Sequence, residues 1–361
     1  MLETKQPWPL NAWYQAAWNS EIGDKPLGRK LLNQDIVLYR GRDGKVAALE
    51  DRCCHRAAAL SMGSIVDKGL QCDYHGLVYD GTGKCVHIPN QDTIPPQACV
   101  RAYPIVEKNE FVWIWMGDPA KADESQIIDY PWNDDHKNWP HKHGMSYIKC
   151  NYMLVVDNLM DLTHIPYIHK RTIGGGAAPS THTEALMDTK RTERGVHFIR
   201  WMLGVTPPPT YVKGAGFAPG VKVDRWFEGE YVVPSSIIQW SGALPVGQGA
   251  QQNRDQPGGF SARVYHGATP ETENTCFYFW TPANGYRQNE PRATEDLYNE
   301  IVATFVEDIA FLEVQDSRIY ADRKRPLVDI VSDKNRIHAR RTMERMIRAE
   351  TGEHEPAMAA E

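Results

Sequence analysis

The feature that most constrains this 361-residue chain is a pair of short segments that each hold one cysteine and one histidine. One residue separates Cys53 from His55, two residues separate Cys72 from His75, and residues 56–71 lie between the pairs. A metal site that takes two thiolates and two imidazoles requires both segments to meet at one point. The two segments are therefore expected to form neighbouring metal-binding loops.

These ligands suit a [2Fe-2S] cluster in which one iron has two thiolates and the other has two neutral imidazoles, because each segment supplies one ligand of each kind. A structural zinc ion accepts the same ligands and is the alternative. Common zinc fingers pair cysteine with cysteine and histidine with histidine, whereas both pairs here are mixed. We therefore predict a cluster held by Cys53, His55, Cys72 and His75. Cys54 is not expected to be a ligand, because successive side chains of an extended loop point apart.

Size and charge limit the kind of protein that this chain can be. Its length exceeds the roughly 250 to 300 residues at which a single hydrophobic core stops growing, so two domains are expected. The formal net charge of −6 argues against nucleic acid as a partner. No apolar run approaches the roughly 18 residues that cross a bilayer, and no secretory signal is visible, which predicts a cytoplasmic location without membrane association. Seven cysteines in that setting favour metal ligands or buried thiols over disulfides.

The two halves of the chain differ in their apolar patterns. Between residues 35 and 117, short runs rich in Val, Ile, Tyr and Trp alternate with Gly-containing turns, which predicts antiparallel hairpins. The polar stretch 119–144 is expected to connect two domains. Beyond it, strand-like runs alternate with helical patterns. We predict an α+β protein with an all-β domain over residues 1–130 and a domain of helices and antiparallel sheet over residues 131–361.

A second group of candidate metal ligands lies in the helix-like segment 151–169. Asp161 and His164 are at positions i and i+3, which share one face of a helix, and His169 follows across Pro166. Pro166 is expected to interrupt the helix and turn the chain, so that both imidazoles reach one point. Two such histidines are part of the 2-His-1-carboxylate facial triad that holds non-haem Fe(II).

The carboxylate of this triad is expected from a long helix predicted over residues 295–324. Asp308 falls within the apolar stripe of that helix, and a carboxylate that faces a core must be paired or metal-bound. Asp316 also falls near the stripe, so periodicity leaves both aspartates open, whereas Glu307 is expected to point away. An electron carrier in the same chain needs a redox partner, and an open Fe(II) site commonly uses such electrons with O₂.

At these residues the chain resembles the Rieske non-haem iron oxygenases, and within them the oxygenase subunits of vanillate O-demethylase and toluenesulfonate methyl-monooxygenase. The resemblance implies a Rieske [2Fe-2S] domain followed by a helix-grip-like catalytic domain. Many relatives have proline where this chain has Cys54, which leaves the ligand set unchanged. The matching segments are both Cys/His motifs, NAWYQAAW at 11–18, FVWIWMGDP at 111–119, VVDNLMDLTHIPYIH at 155–169, VDRW at 223–226 and FVEDIAFLE at 305–313.

The resemblance also implies roles for single residues. It selects Asp308 as the iron carboxylate, which resolves the choice that periodicity leaves open. In the family, the aspartate before the first iron histidine joins the Rieske histidine of one subunit to the iron site of the next. That aspartate maps onto Asp161, between His75 of a neighbouring copy and His164, and implies a homotrimer. Asn158, one turn before Asp161, is expected to help shape the iron site.

The sequence thus predicts an oxidoreductase, a Rieske mono- or dioxygenase that uses O₂. Its NADH electrons are expected from a separate flavin and [2Fe-2S] reductase, because no GxGxxG loop follows a strand here. The expected reaction is hydroxylation of a methyl or methoxy group on an aromatic acid or sulfonate. Ring dioxygenation is the alternative, and an electron carrier without oxygenase activity or a zinc-stabilised binding module are alternatives of other classes. Arg200, Arg225 and Arg263 are candidates to pair with the substrate anion, since guanidinium matches carboxylate geometry.

Overall fold

The structure, a computed structural model, divides into two compact units. It describes residues 4, 6–174 and 185–353. The N-terminal unit is Trp8–Ile127 together with Thr269–Glu273. The C-terminal unit comprises Met1–Pro7, Ile128–Ala268 and Asn274–Glu361. No sequence pattern indicated that Thr269–Glu273, the tip of a late hairpin, groups with the N-terminal unit.

The N-terminal unit is all-β in its described residues, apart from short 3₁₀ turns. Its strands form one three-stranded sheet, ordered β1-β11-β10, and two four-stranded sheets, ordered β2-β3-β4-β9 and β5-β6-β7-β8. The strands are β1 (Trp13–Trp18), β2 (Leu27–Leu31), β3 (Gln34–Arg40), β4 (Val46–Glu50), β5 (Ser64–Val66), β6 (Gly69–Gln71), β7 (Val78–Tyr79), β8 (Cys85–His87), β9 (Ala102–Tyr103), β10 (Ile105–Lys108) and β11 (Phe111–Trp115).

The turn chemistry explains why these short runs become hairpins. Gly44 closes the turn between β3 and β4 with a φ of +81°, a conformation that glycine adopts without a steric penalty. Behind the turns, apolar residues of several strands share one buried core, which includes Leu49 and Leu70. Cys53 and Cys72 are part of that same core. The two metal-binding segments are therefore anchored in the buried core of the unit through their cysteines.

The C-terminal unit contains an antiparallel seven-stranded sheet in the order β12-β18-β17-β16-β15-β14-β13. Its strands are long and alternate buried with less buried positions, as expected for a sheet with one face in the core. The strands are β12 (Gly144–Ile148), β13 (Leu186–Arg191), β14 (Gly195–Val205), β15 (Val223–Val232), β16 (Ser236–Pro245), β17 (Phe260–Thr272) and β18 (Thr275–Asn284).

Five α-helices accompany this sheet in the described part of the chain. The longest, α4, packs against β18 and against α1, and α1 also contacts α5. No helix among the described residues is long and apolar enough to span a bilayer. The helices are α1 (Tyr152–Met160), α2 (Ile165–Ile168), α3 (Pro209–Ala215), α4 (Pro291–Ala321) and α5 (Lys334–Thr351).

The predicted helix 151–169 is broken at Asp161 and not at Pro166. The Asp161 carboxylate accepts a hydrogen bond from the Thr163 amide, so its side chain ends α1 and caps the following 3₁₀ turn, Leu162–His164. Pro166 lies in the first turn of α2, where its missing N–H costs nothing. The break still brings the chain around as predicted. The predicted fold class, an all-β domain followed by a domain of helices and antiparallel sheet, is confirmed.

Candidate metal centres

The two Cys/His segments have the same backbone geometry. The Cys53 amide donates to the Ala58 carbonyl at 2.8 Å, and the Ala57 amide donates to the Cys53 carbonyl at 2.9 Å. Both hydrogen bonds recur at the same offsets after Cys72, each at 2.8 Å. The residue four positions after each cysteine has a positive φ, +59° at Ala57 and +76° at Gly76. The segments are therefore two copies of one loop, although their Cys-to-His spacings differ.

The four candidate cluster ligands lie together, with sulfur and nitrogen on different sides. Cys53 and Cys72 are buried, whereas His55 and His75 are exposed, and the two imidazole rings are 4.5 Å apart. Burial raises the pKa of Cys72, and the Cys53 side chain that contacts it adds to the effect. Such a pair becomes thiolates when a metal binds. The donor set therefore fits a cluster with two inner thiolates and two outer imidazoles.

A tyrosine hydroxyl lies against the cysteine of the first loop. Tyr79 Oη is 3.1 Å from Cys53 Sγ and 3.1 Å from Cys54 Sγ. The Cys54 amide donates to the same oxygen at 3.2 Å. Burial raises the pKa of Tyr79, so it remains a neutral hydroxyl. Cys54 therefore contacts Tyr79, which in turn contacts the candidate ligand Cys53. Sequence reasoning missed Tyr79 as a neighbour of the ligand.

In the C-terminal unit, His164, His169 and Asp308 come together at one point. Their nearest ligand atoms all lie within 4.8 Å of one another. Asp308 Oδ1 is 3.1 Å from His169 Nε2 and 3.6 Å from His164 Nε2. His169 and Asp308 are buried and His164 is partly buried. Two imidazoles and one carboxylate on one side of a point, with the other side open, match the facial triad of non-haem Fe(II).

Each histidine is oriented through its other nitrogen. His164 Nδ1 donates to the Asp161 carbonyl at 2.6 Å, and His169 Nδ1 donates to Glu307 Oε2 at 2.8 Å. Because both acceptors lack a hydrogen, both rings carry a proton on Nδ1, so Nε2, the nitrogen nearer to Asp308, is the atom that would bind a metal. The expectation that Glu307 points away is wrong, since the ring of His169 reaches along the helix far enough to contact two consecutive side chains.

The surroundings of the triad shift the pKa values of the two histidines in opposite directions. Burial lowers the pKa of His164 against the opposing charge of Asp308. Burial also disfavours charged His169, but its hydrogen bonds to Asp308 and Glu307 outweigh that effect and raise its pKa. The negative charge around His169 thus favours a positive charge at this point, which a metal ion supplies.

The environments of the two candidate aspartates distinguish them. Asn158 Nδ2 donates to Asp308 Oδ1 at 3.0 Å, so Asn158 contacts the same oxygen that faces both histidines. Asp316 is buried but accepts hydrogen bonds from the Asn151 amide at 2.9 Å and from Asn274 Nδ2 at 3.0 Å. Asp316 therefore connects α4 to neighbouring segments, and Asp308 is the carboxylate next to the histidines.

The Asp161 carboxylate has hydrogen-bond partners other than the histidine that its carbonyl holds. One carboxylate oxygen accepts from the Thr163 amide at 2.9 Å and from the Thr163 hydroxyl at 2.7 Å. The other oxygen accepts from Ser332 Oγ at 2.8 Å. The Asp161 carbonyl thus binds His164, whereas the Asp161 carboxylate binds Thr163 and Ser332.

A pocket opens at the triad, and its empty space, open solvent included, is about 640 Å³. His164, His169 and Asp308 line it, together with Asn158. Most of the remaining wall is apolar. Its larger side chains include Leu162, Ile165, Phe227, Phe260, Leu297 and Phe305.

The polar groups of this wall are neutral. Gln239 and His266 contact each other at 3.1 Å, and Tyr278 Oη is 2.6 Å from the other nitrogen of His266. Burial lowers the pKa of His266 to about 3, so this imidazole stays uncharged. The hydroxyls of Thr210, Ser241 and Thr304 complete this group. Sequence reasoning missed these residues, because a single polar residue within a strand pattern carries no signal of its own.

The three predicted substrate arginines lie outside the described lining of the pocket. Arg225 is buried between the rings of Tyr211 and Phe227, 4.5 Å from each, and donates to the Ile173 carbonyl. Arg263 stacks on the ring of Trp240 at 3.7 Å, and burial lowers its pKa to about 10.

Arg200 is also buried, and desolvation lowers its pKa to about 10 against the charge of Asp161. Contact of any of these arginines with a substrate remains a prediction. Arg225 is the nearest candidate, because both of its ring partners line the pocket.

Comparison with known proteins assigns the chain to a family. The Rieske [2Fe-2S] domain matches residues 12–104, and the vanillate O-demethylase oxygenase C-terminal domain matches residues 148–349. The chain belongs to the Rieske non-haem iron oxygenases of the vanillate O-demethylase type. It is therefore an oxidoreductase and an oxygenase component, and these two predictions are confirmed.

Members of this family match nearly the whole chain. The iron-sulfur subunit of the toluene-4-sulfonate monooxygenase system of Comamonas testosteroni is 38% identical, over 95% of this chain and 98% of the relative. The vanillate O-demethylase oxygenase subunit of Pseudomonas sp. (strain HR199 / DSM 7063) is 36% identical, over 98% of each chain.

Solved structures of dicamba monooxygenase share the fold. The complex with 3,6-dichlorosalicylic acid has a TM-score of 0.87 and 33% identity, over 94% of this chain and 98% of that one. The form with non-haem iron and dicamba has a TM-score of 0.79 and 32% identity, over 95% and 98%. Dicamba monooxygenase thus carries a non-haem iron. The match to the Rieske [2Fe-2S] domain confirms the predicted [2Fe-2S] cluster of the present chain.

Proposed function

We propose that this chain is the oxygenase component of a cytoplasmic, O₂- and NADH-dependent system that hydroxylates a methyl or methoxy group on an aromatic acid or sulfonate. A separate reductase supplies two electrons from NADH. A hydroxylated methoxy group collapses to the phenol and formaldehyde, while the second oxygen atom leaves as water.

The residues present fit both cofactors. Cys53, His55, Cys72 and His75 would hold the [2Fe-2S] cluster, and the histidine and aspartate triad described above would hold Fe(II). When bound, the cluster relays single electrons, and the mononuclear iron with O₂ provides the oxidising power for the C–H bond.

The observation that carries the proposal is that the triad lines a mostly apolar pocket. Asp308 and the two Nε2 atoms face the same space that the aromatic side chains enclose. Apolar walls exclude water and bury the ring of a substrate, and they leave one end for the reacting group. A pure electron carrier has no use for such a pocket.

The neutral polar groups of the wall orient the substrate in this proposal. His266 donates to the Gln239 side-chain oxygen, which leaves the amide hydrogens of Gln239 to bind a substrate anion in a partly buried setting, where such a hydrogen bond is strong. Relatives act on vanillate and toluene-4-sulfonate by name, which supports an acidic aromatic substrate. The opposite end of the ring then lies toward the triad.

We further propose that the chain works as a homotrimer, in which electrons pass from His75 of one copy through Asp161 to His164 of the next. His75 is exposed, and its ring lies 4.0 Å from the exposed ring of Tyr74. Asp161 accepts a hydrogen bond from Ser332, which directly follows Val331.

An exposed apolar run next to Asp161 supports this assembly. Val328 is 87% exposed and Val331 is 96% exposed, and Leu327 and Ile330 between and beside them are also exposed. Contiguous exposed apolar side chains mark interaction sites in soluble proteins. A second copy is the occupant that would place a cluster beside Asp161.

The function is tested with purified protein, NADH and a reductase that contains flavin and a [2Fe-2S] cluster. Wild-type protein is expected to contain three irons per chain and to release formaldehyde from a methoxybenzoate in a reductase-dependent reaction. His164→Ala is expected to keep the cluster absorption and lose turnover. His197→Ala serves as the control, because His197 pairs with Glu228 on the sheet. Two irons per chain and no turnover in wild-type protein would instead support an electron carrier.

Electron transfer between subunits is tested with mixed assemblies. Cys72→Ser removes the cluster and keeps the triad, whereas His164→Ala removes the triad and keeps the cluster. Each variant alone is expected to be inactive, and co-expression is expected to restore activity, because one copy then supplies the cluster and its neighbour the iron. Co-purified but inactive mixtures would exclude the route between subunits.

A further inference from the structure

We propose that Glu307 is a positioning residue of the iron site, which holds His169 in its metal-binding tautomer and makes it the stronger of the two imidazole ligands. The inference rests on the proposed iron site. It concerns a residue that the helical pattern assigned to the opposite face.

The geometry places two consecutive carboxylates around one ring. His169 Nδ1 is 2.8 Å from Glu307 Oε2, and His169 Nε2 is 3.1 Å from Asp308 Oδ1. The His169 side chain is 1% exposed, so its ring has little freedom. Glu307 therefore holds one edge of the ring while the other edge faces the metal position.

The two histidines differ in the group that holds them. His164 donates to the neutral carbonyl of Asp161, whereas His169 donates to a carboxylate. Hydrogen bonds to a charged acceptor are roughly twice as strong as neutral ones. A carboxylate acceptor also pulls the Nδ1 proton, which raises the electron density at Nε2 and strengthens its bond to a metal. His169 is thus expected to be the better donor.

Exposure of Glu307 limits the size of this effect and does not remove it. The Glu307 side chain is 32% exposed, so solvent screens part of its charge. The partner of Glu307, His169, is buried, and the distance between Glu307 Oε2 and His169 Nδ1 is short. Both features distinguish the pair from a solvated surface contact. Removal of such outer partners typically weakens metal binding by about 10- to 100-fold.

The test measures metal binding on full-length protein that keeps its cluster but has lost the mononuclear iron. Co(II) is titrated anaerobically into wild-type protein, Glu307→Ala and Glu307→Gln. We expect the affinity of Glu307→Ala to fall by at least about tenfold. Glu307→Gln keeps an acceptor without the charge and is expected to lie between the two. Equal affinities for all three proteins would overturn the proposal.

The matched control is Glu313→Gln, because Glu313 lies on the same helix and accepts only from the Lys149 amide among the contacts described. Its Co(II) affinity is expected to equal that of wild-type protein. If Glu307→Ala is poorly folded, as judged by circular dichroism and cluster absorption, Glu307→Gln alone decides the outcome. A loss that Glu313→Gln shares would mean that helix stability, and not the histidine contact, is responsible.

A spectrum gives a readout that a merely structural role would not change. The visible ligand-field bands of bound Co(II) depend on the donor strength of each imidazole, so both Glu307 variants are expected to shift them. Unshifted bands in Glu307→Gln would contradict the proposal. Failure of the proposed function is distinguishable, since His169→Ala would then leave Co(II) binding unchanged in the wild-type background.

Discussion

A single buried hydroxyl illustrates how one residue can adjust a metal centre that it does not ligate. The Cys54 amide donates to Tyr79 Oη, which leaves the hydroxyl hydrogen free to point at sulfur. Cys53 Sγ lies 3.1 Å from that oxygen. Hydrogen bonds to cluster sulfurs stabilise the more negative, reduced state and so raise the reduction potential. Tyr79 is therefore expected to favour reduction of the cluster.

Tyr79→Phe is expected to lower the midpoint potential of the cluster, because the sulfur loses its donor while the ring still fills the core. The ratio of reduced to oxidised cluster at a fixed potential should fall by up to about tenfold, which equals 59 mV for a one-electron couple. Spectroelectrochemical titration measures it. Tyr39→Phe, in the same core, is the control. An unchanged potential in Tyr79→Phe would show that the hydroxyl does not donate to Cys53.

The two matching loops also make a stability prediction. Gly76 has a φ of +76°, and an added Cβ would lie 2.8 Å from Pro89 Cγ, so Gly76→Ala is expected to cost about 1–3 kcal/mol of local stability. The reciprocal change, Ala57→Gly, relieves a strained φ and is expected to be neutral within about 1 kcal/mol. The temperature at which cluster absorption is lost measures both. Equal losses would contradict the role of backbone strain.

At the scale of secondary-structure elements, α1 and α5 are joined by an ion pair next to the iron site. Arg340 Nε is 2.8 Å from Asp157 Oδ1, and a second guanidinium nitrogen reaches Oδ2 at 2.5 Å. Both side chains are largely buried. Asp157 directly precedes Asn158, which contacts Asp308. The pair thus fixes the helix that carries one neighbour of the triad.

Arg340→Gln is expected to lower the free energy of unfolding by roughly 2–4 kcal/mol, because it leaves the Asp157 carboxylate buried without its partner. The double variant Asp157→Asn with Arg340→Gln is expected to recover part of that loss, since no uncompensated charge remains. Urea unfolding followed by circular dichroism measures each step. Strictly additive losses in the two single variants and the double variant would exclude coupling between the pair.

The sequence predicted the elements well and their junctions less well. The metal ligands were predicted from Cys and His motifs. The hairpins and the long helix were predicted from the spacing of apolar residues along the chain. Both Asp161 and Pro166 could end the predicted helix. The helix ends at Asp161, because its side chain caps the turn that follows. Glu307 was misassigned because periodicity describes a helix face and ignores how far a neighbouring histidine reaches. The pocket wall depends on contacts between distant strands, which no local pattern contains.

At the scale of the whole molecule, the two metal sites belong to separate units. The candidate cluster ligands lie in Trp8–Ile127, and the triad lies in the C-terminal unit. No described residue serves both sites as a ligand. The two metals are therefore expected to be removable one at a time.

Dialysis against a chelator under anaerobic conditions is expected to remove about one iron per chain and leave the cluster absorption unchanged, because the triad offers only three protein ligands and an open side. The chelated protein should unfold at a lower temperature, and added Fe(II) or Co(II) should raise that temperature with concentration. Scanning calorimetry and iron analysis measure both effects. Parallel loss of cluster absorption and mononuclear iron would contradict this independence.

The carbonyl and the carboxylate of Asp161 bind different groups, which affects how such enzymes can diversify. Its carbonyl orients His164, and any amino acid at this position would supply that carbonyl. Its carboxylate is engaged with Thr163 and Ser332, and an asparagine at this position would keep an acceptor for the Thr163 amide, which caps the turn that carries His164. In the proposed homotrimer, evolution or an engineer could therefore retune or disconnect the electron route at one codon and keep the three residues that would hold the iron.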